Sequence, residues 1–518
     1  MIAPRALGGP LGALLGVALL SLGTGGILLS ANGESRPDPR VLEGNLALNP
    51  EADDPGALIA HNSPAVERNP SDPSNLAVAS RVDEPDFSCG LSVSADGGRR
   101  WSATAIPVPG DEKCYTPDVA FGADGTLYVS FVTLTGKGNV PDAAWVASSA
   151  DGGRTLSRPT RVVRGSVFQV RMAADPDAPR RLYVTWLAAR DVALRRLPTV
   201  GNPIRSARSE DGGRTWSPPV QVNDSRRVRV LAGSPAVGAD GDLYVAYLDL
   251  LEDRLDYEGE HEGRGGPPYQ GRWQLVLSRS QDRGRTWFER VIERRLVPTE
   301  RFISLLPPFP SLAVDRRRNR VFVGFQDGSL GDSDVVVWAS SDRGAHWTRR
   351  RVNDTPSRDR TTQSLPELAV APNGRLDVVY YDRRADSADV RNEVSLQSST
   401  GDGSFSPRLR LSDRAFDSRI GFGSERNLAD LGSRLGLVSA DARVLAVWSD
   451  TRAGSARTRR QDLARALVRF ENGEGGTSAL QWLLRAVSAA VALAGLALLI
   501  GLALRRLRAD GIGREDAM

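Results

Sequence analysis

Ser209-Glu-Asp211-Gly-Gly213-Arg-Thr215-Trp216 is a pattern that the chain writes five times. Ser94-Ala-Asp96-Gly-Gly98-Arg-Arg-Trp101 and Ser149-Ala-Asp151-Gly-Gly153-Arg-Thr155-Leu156 precede it. Ser280-Gln-Asp282-Arg-Gly284-Arg-Thr286-Trp287 and Ser340-Ser-Asp342-Arg-Gly344-Ala-His346-Trp347 follow. A degenerate sixth copy, Gly401-Asp402-Gly403-Ser404-Phe405-Ser406-Pro407, is one residue short. The key aspartates are 55, 60, 71, 60 and 60 residues apart. These residue types suit a hairpin turn. Asp accepts hydrogen bonds from turn amides, Gly supplies a positive φ, and Ser ties down the other end. The ring opens the next strand by packing into the core. Strand-like runs such as Gln274-Leu-Val-Leu277-Ser precede the boxes, so each copy reads as a strand–turn–strand unit.

A second element repeats between the boxes: a short apolar strand, a polar turn and another strand. Pro117-Asp-Val-Ala-Phe with Leu127-Tyr-Val-Ser-Phe131 is one copy, and Pro366-Glu-Leu-Ala-Val with Leu376-Asp-Val-Val-Tyr380 is another. Counting weaker copies near Pro64, Val170 and Asp430 gives seven such hairpins between residues 64 and 470, about 58 residues each. Four short strands per unit is the arithmetic of a propeller blade. The sequence therefore predicts an all-β fold, a seven-bladed β-propeller of four-stranded blades over residues 61–470, with six blades as the alternative count.

The ends of the chain read differently. Residues 1–31 have the basic start, apolar run and small-residue exit of a signal peptide, or form an N-terminal membrane segment. Residues 32–60 are a linker or a closing strand, and 471–485 a second linker. Residues 486–504 are uncharged and long enough to span a bilayer as a transmembrane helix. Arg505, Arg506 and Arg508 behind that helix make 505–518 a cytoplasmic tail by the positive-inside rule, which leaves the propeller outside the cell membrane. In that oxidising compartment Cys89 and Cys114 suit a disulfide.

The boxes resemble the Asp-box (BNR) repeats of sialidases, of sortilin-type receptor propellers and of several other glycoside hydrolases. The resemblance spans residues 64–470 and implies that Asp96, Asp151, Asp211, Asp282 and Asp342 are structural, on outer hairpins away from the ligand face. Sialidases hold a substrate carboxylate with three arginines and use a Tyr nucleophile paired with Glu, plus an Asp acid/base. Their first arginine lies in Phe-Arg-Ile-Pro, where this chain has His61-Asn62-Ser63-Pro64. Asn62 cannot replace a bidentate guanidinium clamp. Arg171, Arg301 and Arg426 are the arginines that could stand in, and Tyr257, Tyr380 and Tyr381 the tyrosines, none fixed by a motif.

Two registers fall at the channel mouth of such a propeller. One is the residue after the repeated proline: Ala65, Asp118, Arg171, Ala236, Ser311 and Glu367, with Asp430 in the seventh unit. The other is an aromatic-x-Asp ending to the inner hairpin, at Asp249, Asp327, Asp382 and Asp450, with Arg384 and Arg452 following two copies. These acids and arginines could perform acid/base chemistry or hold a ligand, or they could pair locally to close a turn. The loops 249–272, 294–310 and 413–426 are further candidates for recognition on the same face.

A formal net charge of +4 without clustered basic residues excludes nucleic acid as a partner, and His61, His261 and His346 are too isolated for a zinc site. No metal or cofactor is expected. The expected function is a membrane-anchored extracytoplasmic propeller that binds a glycan, an envelope polymer or a surface protein at the mouth. The alternative is an exo-acting, sialidase-like glycoside hydrolase at the same place.

Overall fold

The computed structural model describes residues 17–18, 38–49, 58–110, 112–188, 202–231, 233–253, 269–299, 309–400, 403–421, 431–471 and 479–512. The N-terminal segment 1–31 therefore lies outside the described residues, apart from two positions. Contact clustering separates residues 41–469 from a second unit made of both termini.

Residues 41–469 form a seven-bladed propeller. The first blade is His61–Arg68, Leu76–Val82, Ser88–Ser94 and Ser102–Ala103, each strand antiparallel to the last. Five further blades repeat this order around the ring. In the fourth, the innermost strand is split into Val230–Leu231 and Pro235–Val237. The seventh takes Gly436–Ser439, Arg443–Asp450 and Asp462–Glu471 from the C-terminal side, and its outermost strand is Asp38–Ala47. The last blade is thus completed by the beginning of the chain, which closes the ring.

Blades pack face to face through the aliphatic residues of their second strands. The seam between the seventh and first blades is a cluster that includes Leu445, Val447 and Leu463 against Val66, Leu76 and Val78. Burial of such side chains supplies roughly 25 cal/mol per Å² of apolar surface. Cys89 in the first blade and Cys114 in the second are disulfide-bonded, with Cα atoms 5.4 Å apart.

The boxes form one turn repeated. In the third blade the Ser209 hydroxyl donates to the Asp211 carboxylate at 2.7 Å and accepts the Gly213 amide at 2.8 Å. Asp211 also accepts the Thr215 amide at 2.9 Å and the Thr215 hydroxyl at 2.6 Å. Gly98, Gly153, Gly213, Gly284 and Gly344 all have φ between 79° and 94°, where a side chain would be strained. Partial burial would raise the Asp211 pKa, but the Thr215 and Ser209 hydrogen bonds outweigh it and bring it down to about 2.

The second unit contains the helix Ala479–Ile512. Its stretch Val487–Arg505 is long and apolar enough to cross a membrane.

Replacing Asp211 with Ala removes three hydrogen bonds from an outer hairpin and should cost about 1–2 kcal/mol of stability, seen as a lower denaturation midpoint. Because the folded-state pKa is depressed, the Asp211 contribution is present above the ordinary carboxylate pKa and is lost as pH falls towards about 2. In Asp211→Ala the acid limb of the stability profile should be shallower.

Candidate functional site

The innermost strands surround a central cavity of about 310 Å³, and strand pairing shows which residues face it. Arg171 lies opposite Thr185, Asp118 opposite Ser130, Ser311 opposite Gly324 and Glu367 opposite Val379, the same place in each hairpin. Four blades reach this place through a bulge. Pairing slips between Asn62 and Ala65, Tyr115 and Asp118, Phe168 and Arg171, and Ser364 and Glu367. Inside each slip one residue is left-handed: Ser63, Thr116, Gln169 and Leu365, at φ 51°, 44°, 54° and 53°. Such a bulge re-aims the side chain that follows it, here onto the channel.

Two positions differ from the proline-based expectation. In the fourth blade Pro235 pairs with Val245, so Ser234, and not Ala236, occupies the channel register and lines the cavity. The proline has moved one place along that strand, and pairing rather than proline sets the register. Asp430 lies outside the described residues; in the seventh blade the residue at the equivalent place, opposite Val447, is Gly436.

The cavity holds an unequal set of charges. Arg434 reaches from the seventh blade across the first to the second. It donates to the Ser63 carbonyl at 3.0 Å and the Pro117 carbonyl at 2.6 Å, and sits 3.4 Å from the Asp118 carboxylate. Asp118 also accepts the Met172 amide of the third blade at 3.0 Å. Glu367 accepts the Ser311 hydroxyl at 3.1 Å. Arg171 is 4% exposed and lies 4.9 Å from the Phe309 ring, yet makes no hydrogen bond or ion pair among the described residues. Burial pushes the Glu367 pKa up to about 8, against the opposing pull of Arg171 and Ser311. Glu67 is exposed on the channel side, yet enclosure by the blades, followed by the Asp118 charge, raises its pKa too. Burial also raises Asp118 and lowers Arg171.

The strand-end acids behave differently. Asp249 is bound by Arg227 at 2.5 Å, Asp382 by Arg384 at 2.7 Å, and Asp450 by Arg452 at 2.6 Å. Asp327 contacts Arg349 and accepts the Ser329 hydroxyl at 2.7 Å. All four carboxylates are at most 5% exposed. Each sits at the end of the second strand of its blade and is held by a nearby arginine. Asn62 is buried and donates to Asp83 at 2.7 Å. The Tyr381 hydroxyl donates to the Ser449 carbonyl at 3.1 Å and so joins two blades, while Tyr380 donates to Gln397. Arg301, Arg426 and Tyr257 lie outside the described residues. A Tyr–Glu contact exists, Tyr247 with Glu289, but Glu289 belongs to an outermost strand and Tyr247 is fully buried. Among the described residues no group of three His, Cys, Asp or Glu is placed to hold a metal.

Glu67 and Arg434 escaped the sequence reading, although a signal for Glu67 was present. Two residues beyond the channel register the blades carry Ala120, Ala173, Ala236, Ala313 and Ala369, and only the first blade has a charge there.

Asp382→Ala should destabilise rather than selectively disarm the protein. It strands Arg384 and Arg408, and loss of one partner of a buried pair costs about 3–5 kcal/mol. Intrinsic-fluorescence unfolding would report it. Glu367 keeps a proton in the folded state that the unfolded chain sheds above pH 4.5. Its contribution to stability therefore falls as pH rises from 4.5 to about 8 and levels off beyond. In Glu367→Gln, unfolding midpoints measured from pH 5 to 9 should decline less.

By sequence, residues 192–431 match the BNR repeat-like domain family. A search of curated proteins found no match. Among solved structures, a Dyadobacter fermentans protein of unknown function is 16% identical, with 84% of this chain and 100% of that one covered, at a TM-score of 0.48. A Hadza microbial sialidase is 16% identical, covering 77% and 74%, at 0.43. An α-L-arabinofuranosidase of Fusarium graminearum is 14% identical, covering 82% and 98%, at 0.44. The matched stretch contains the boxes of Asp211, Asp282 and Asp342, whose Ser-to-Gly hydrogen bonds repeat one turn on the outer hairpins of the seven-bladed β-propeller.

Proposed function

We propose that the protein is a non-catalytic binding propeller, anchored by its C-terminal helix with the blades outside the cell membrane, whose channel mouth takes a glycan, an envelope polymer or a surface protein. The observation that carries this reading is the division of labour among its charged residues. The strand-end acids are held in turns by arginines, and burial raises both glutamates that face the cavity, Glu67 and Glu367, whereas Arg171 faces it without a partner. A rigid ring presenting one unsatisfied guanidinium suits recognition. Hydrolysis of a glycoside would need two free carboxyl groups flanking one bond, or a nucleophile with its base. The arginines after Leu504 favour a cytoplasmic C-terminus.

The test is binding by the full-length protein in nanodiscs to a glycan panel and to purified envelope fractions. At least one ligand should bind, with affinity at least tenfold weaker in Arg171→Ala, and no fluorophore should be released from sialosides or arabinosides. Turnover that survives purification would replace this reading with the hydrolase. Binding unaffected by Arg171→Ala would remove the mouth assignment.

A further inference from the structure

The geometry points to a small-monoanion site on the floor of the channel, in which Arg171 holds chloride or an acetate-sized monocarboxylate that enters together with a proton. It deepens the binding reading above by naming the charge class the channel accepts.

The two channel arginines are unequally paired. Arg434 is engaged by Asp118 and by the carbonyls of Ser63 and Pro117. Arg171 has only electrostatic neighbours, Asp118 and Glu367, with no ion pair to either. Its Nε is buried without a hydrogen-bond partner, and Phe309 lies over the guanidinium. A buried guanidinium left unpaired costs several kcal/mol, so the cavity beside it favours an occupant that supplies negative charge. At about 310 Å³, that cavity has room for a small anion with its waters.

The charged groups lining it come from five blades, Glu67, Asp118, Arg171, Glu367 and Arg434, while Arg68 beside Glu67 donates to the Ser439 carbonyl and has Asp441 as its countercharge. With Glu67 and Glu367 neutral, Arg171 and Arg434 meet the single charge of Asp118, an excess of one positive charge. When Glu367 ionises, it neutralises Arg171 itself and repels an anion. Anion and proton therefore bind together, and affinity must fall as pH rises through about 8.

Chloride-35 NMR on the full-length protein in detergent micelles reads this directly. Excess chloride linewidth at pH 6.5 should be displaced by sodium acetate and should fall about tenfold by pH 9, one proton being linked to one anion. Arg171→Gln should abolish the displaceable part. Glu367→Gln should retain it at pH 6.5 and lose markedly less of it by pH 9, where only Glu67 is left to ionise, an arm that stands even if the arginine variant fails to fold. Excess linewidth that is absent from the wild type, unchanged in Arg171→Gln, or equally pH-dependent in Glu367→Gln would overturn the inference. So would displacement by sodium glucuronate but not by acetate, which would assign the charge to a sugar ligand at the mouth. A protein that binds chloride this way yet binds no glycan keeps the anion site and loses only the wider reading.

Discussion

Closure between the seventh and first blades is the constraint on which the rest of the structure depends. An unclosed array of antiparallel sheets would leave a long edge and no channel. Here the C-terminal blade accepts Asp38–Ala47 as its outer strand, and Leu445, Val447 and Leu463 pack against Val66, Leu76 and Val78. The seam is also polar. Ser449 donates to the His61 carbonyl at 3.0 Å, and Arg465 to the Arg99 carbonyl at 2.9 Å. Only once the ring is shut can Arg434 of the last blade dock on Asp118 of the second. Closure and the electrostatics of the channel are therefore one event.

The arginine richness of the chain is spent largely inside blades. Each strand-end aspartate is buried, and a buried carboxylate is tolerable only with a charged partner and further donors. Asp382 has Arg384, Arg408 and the Ser395 hydroxyl; Asp450 has Arg452 and the Trp448 indole. These networks pin the ends of the second strands, which leaves the innermost strands rigid enough to hold side chains in the channel. The same chemistry that looks catalytic in a linear reading is here a way of fastening turns.

The fold was legible because its signal is redundant: five boxes in phase and seven inner hairpins all demand one unit. The channel was legible where that unit keeps its register, with proline ahead of Asp118, Ser311 and Glu367 and Val170 ahead of Arg171. Asp118, Arg171, Ser311 and Glu367 follow the repeat and were found. In the fourth blade the proline slides by one position, and the register moves to Ser234. Arg434 was invisible for a different reason: its role depends on a partner 316 residues away across the closed ring. Periodicity reports which face a residue takes, but not which vacancy a long side chain will fill.

That difference between repeat and exception bears on where function resides. A seven-fold ring of identical channel residues would present seven like groups and cancel any preference for one ligand orientation. This ring departs from its own repeat at successive blades, with Ala65 and Glu67, then Asp118, then Arg171, and finally Glu367 and Gly436. Arg434 pairs with Asp118 on one side, while another side carries Glu367 beside Ser311. The positive charge left over therefore has a direction, set by Arg171 and Phe309 in the third-to-fifth-blade sector. Residues that obey the repeat build the scaffold, and residues that break it line the channel.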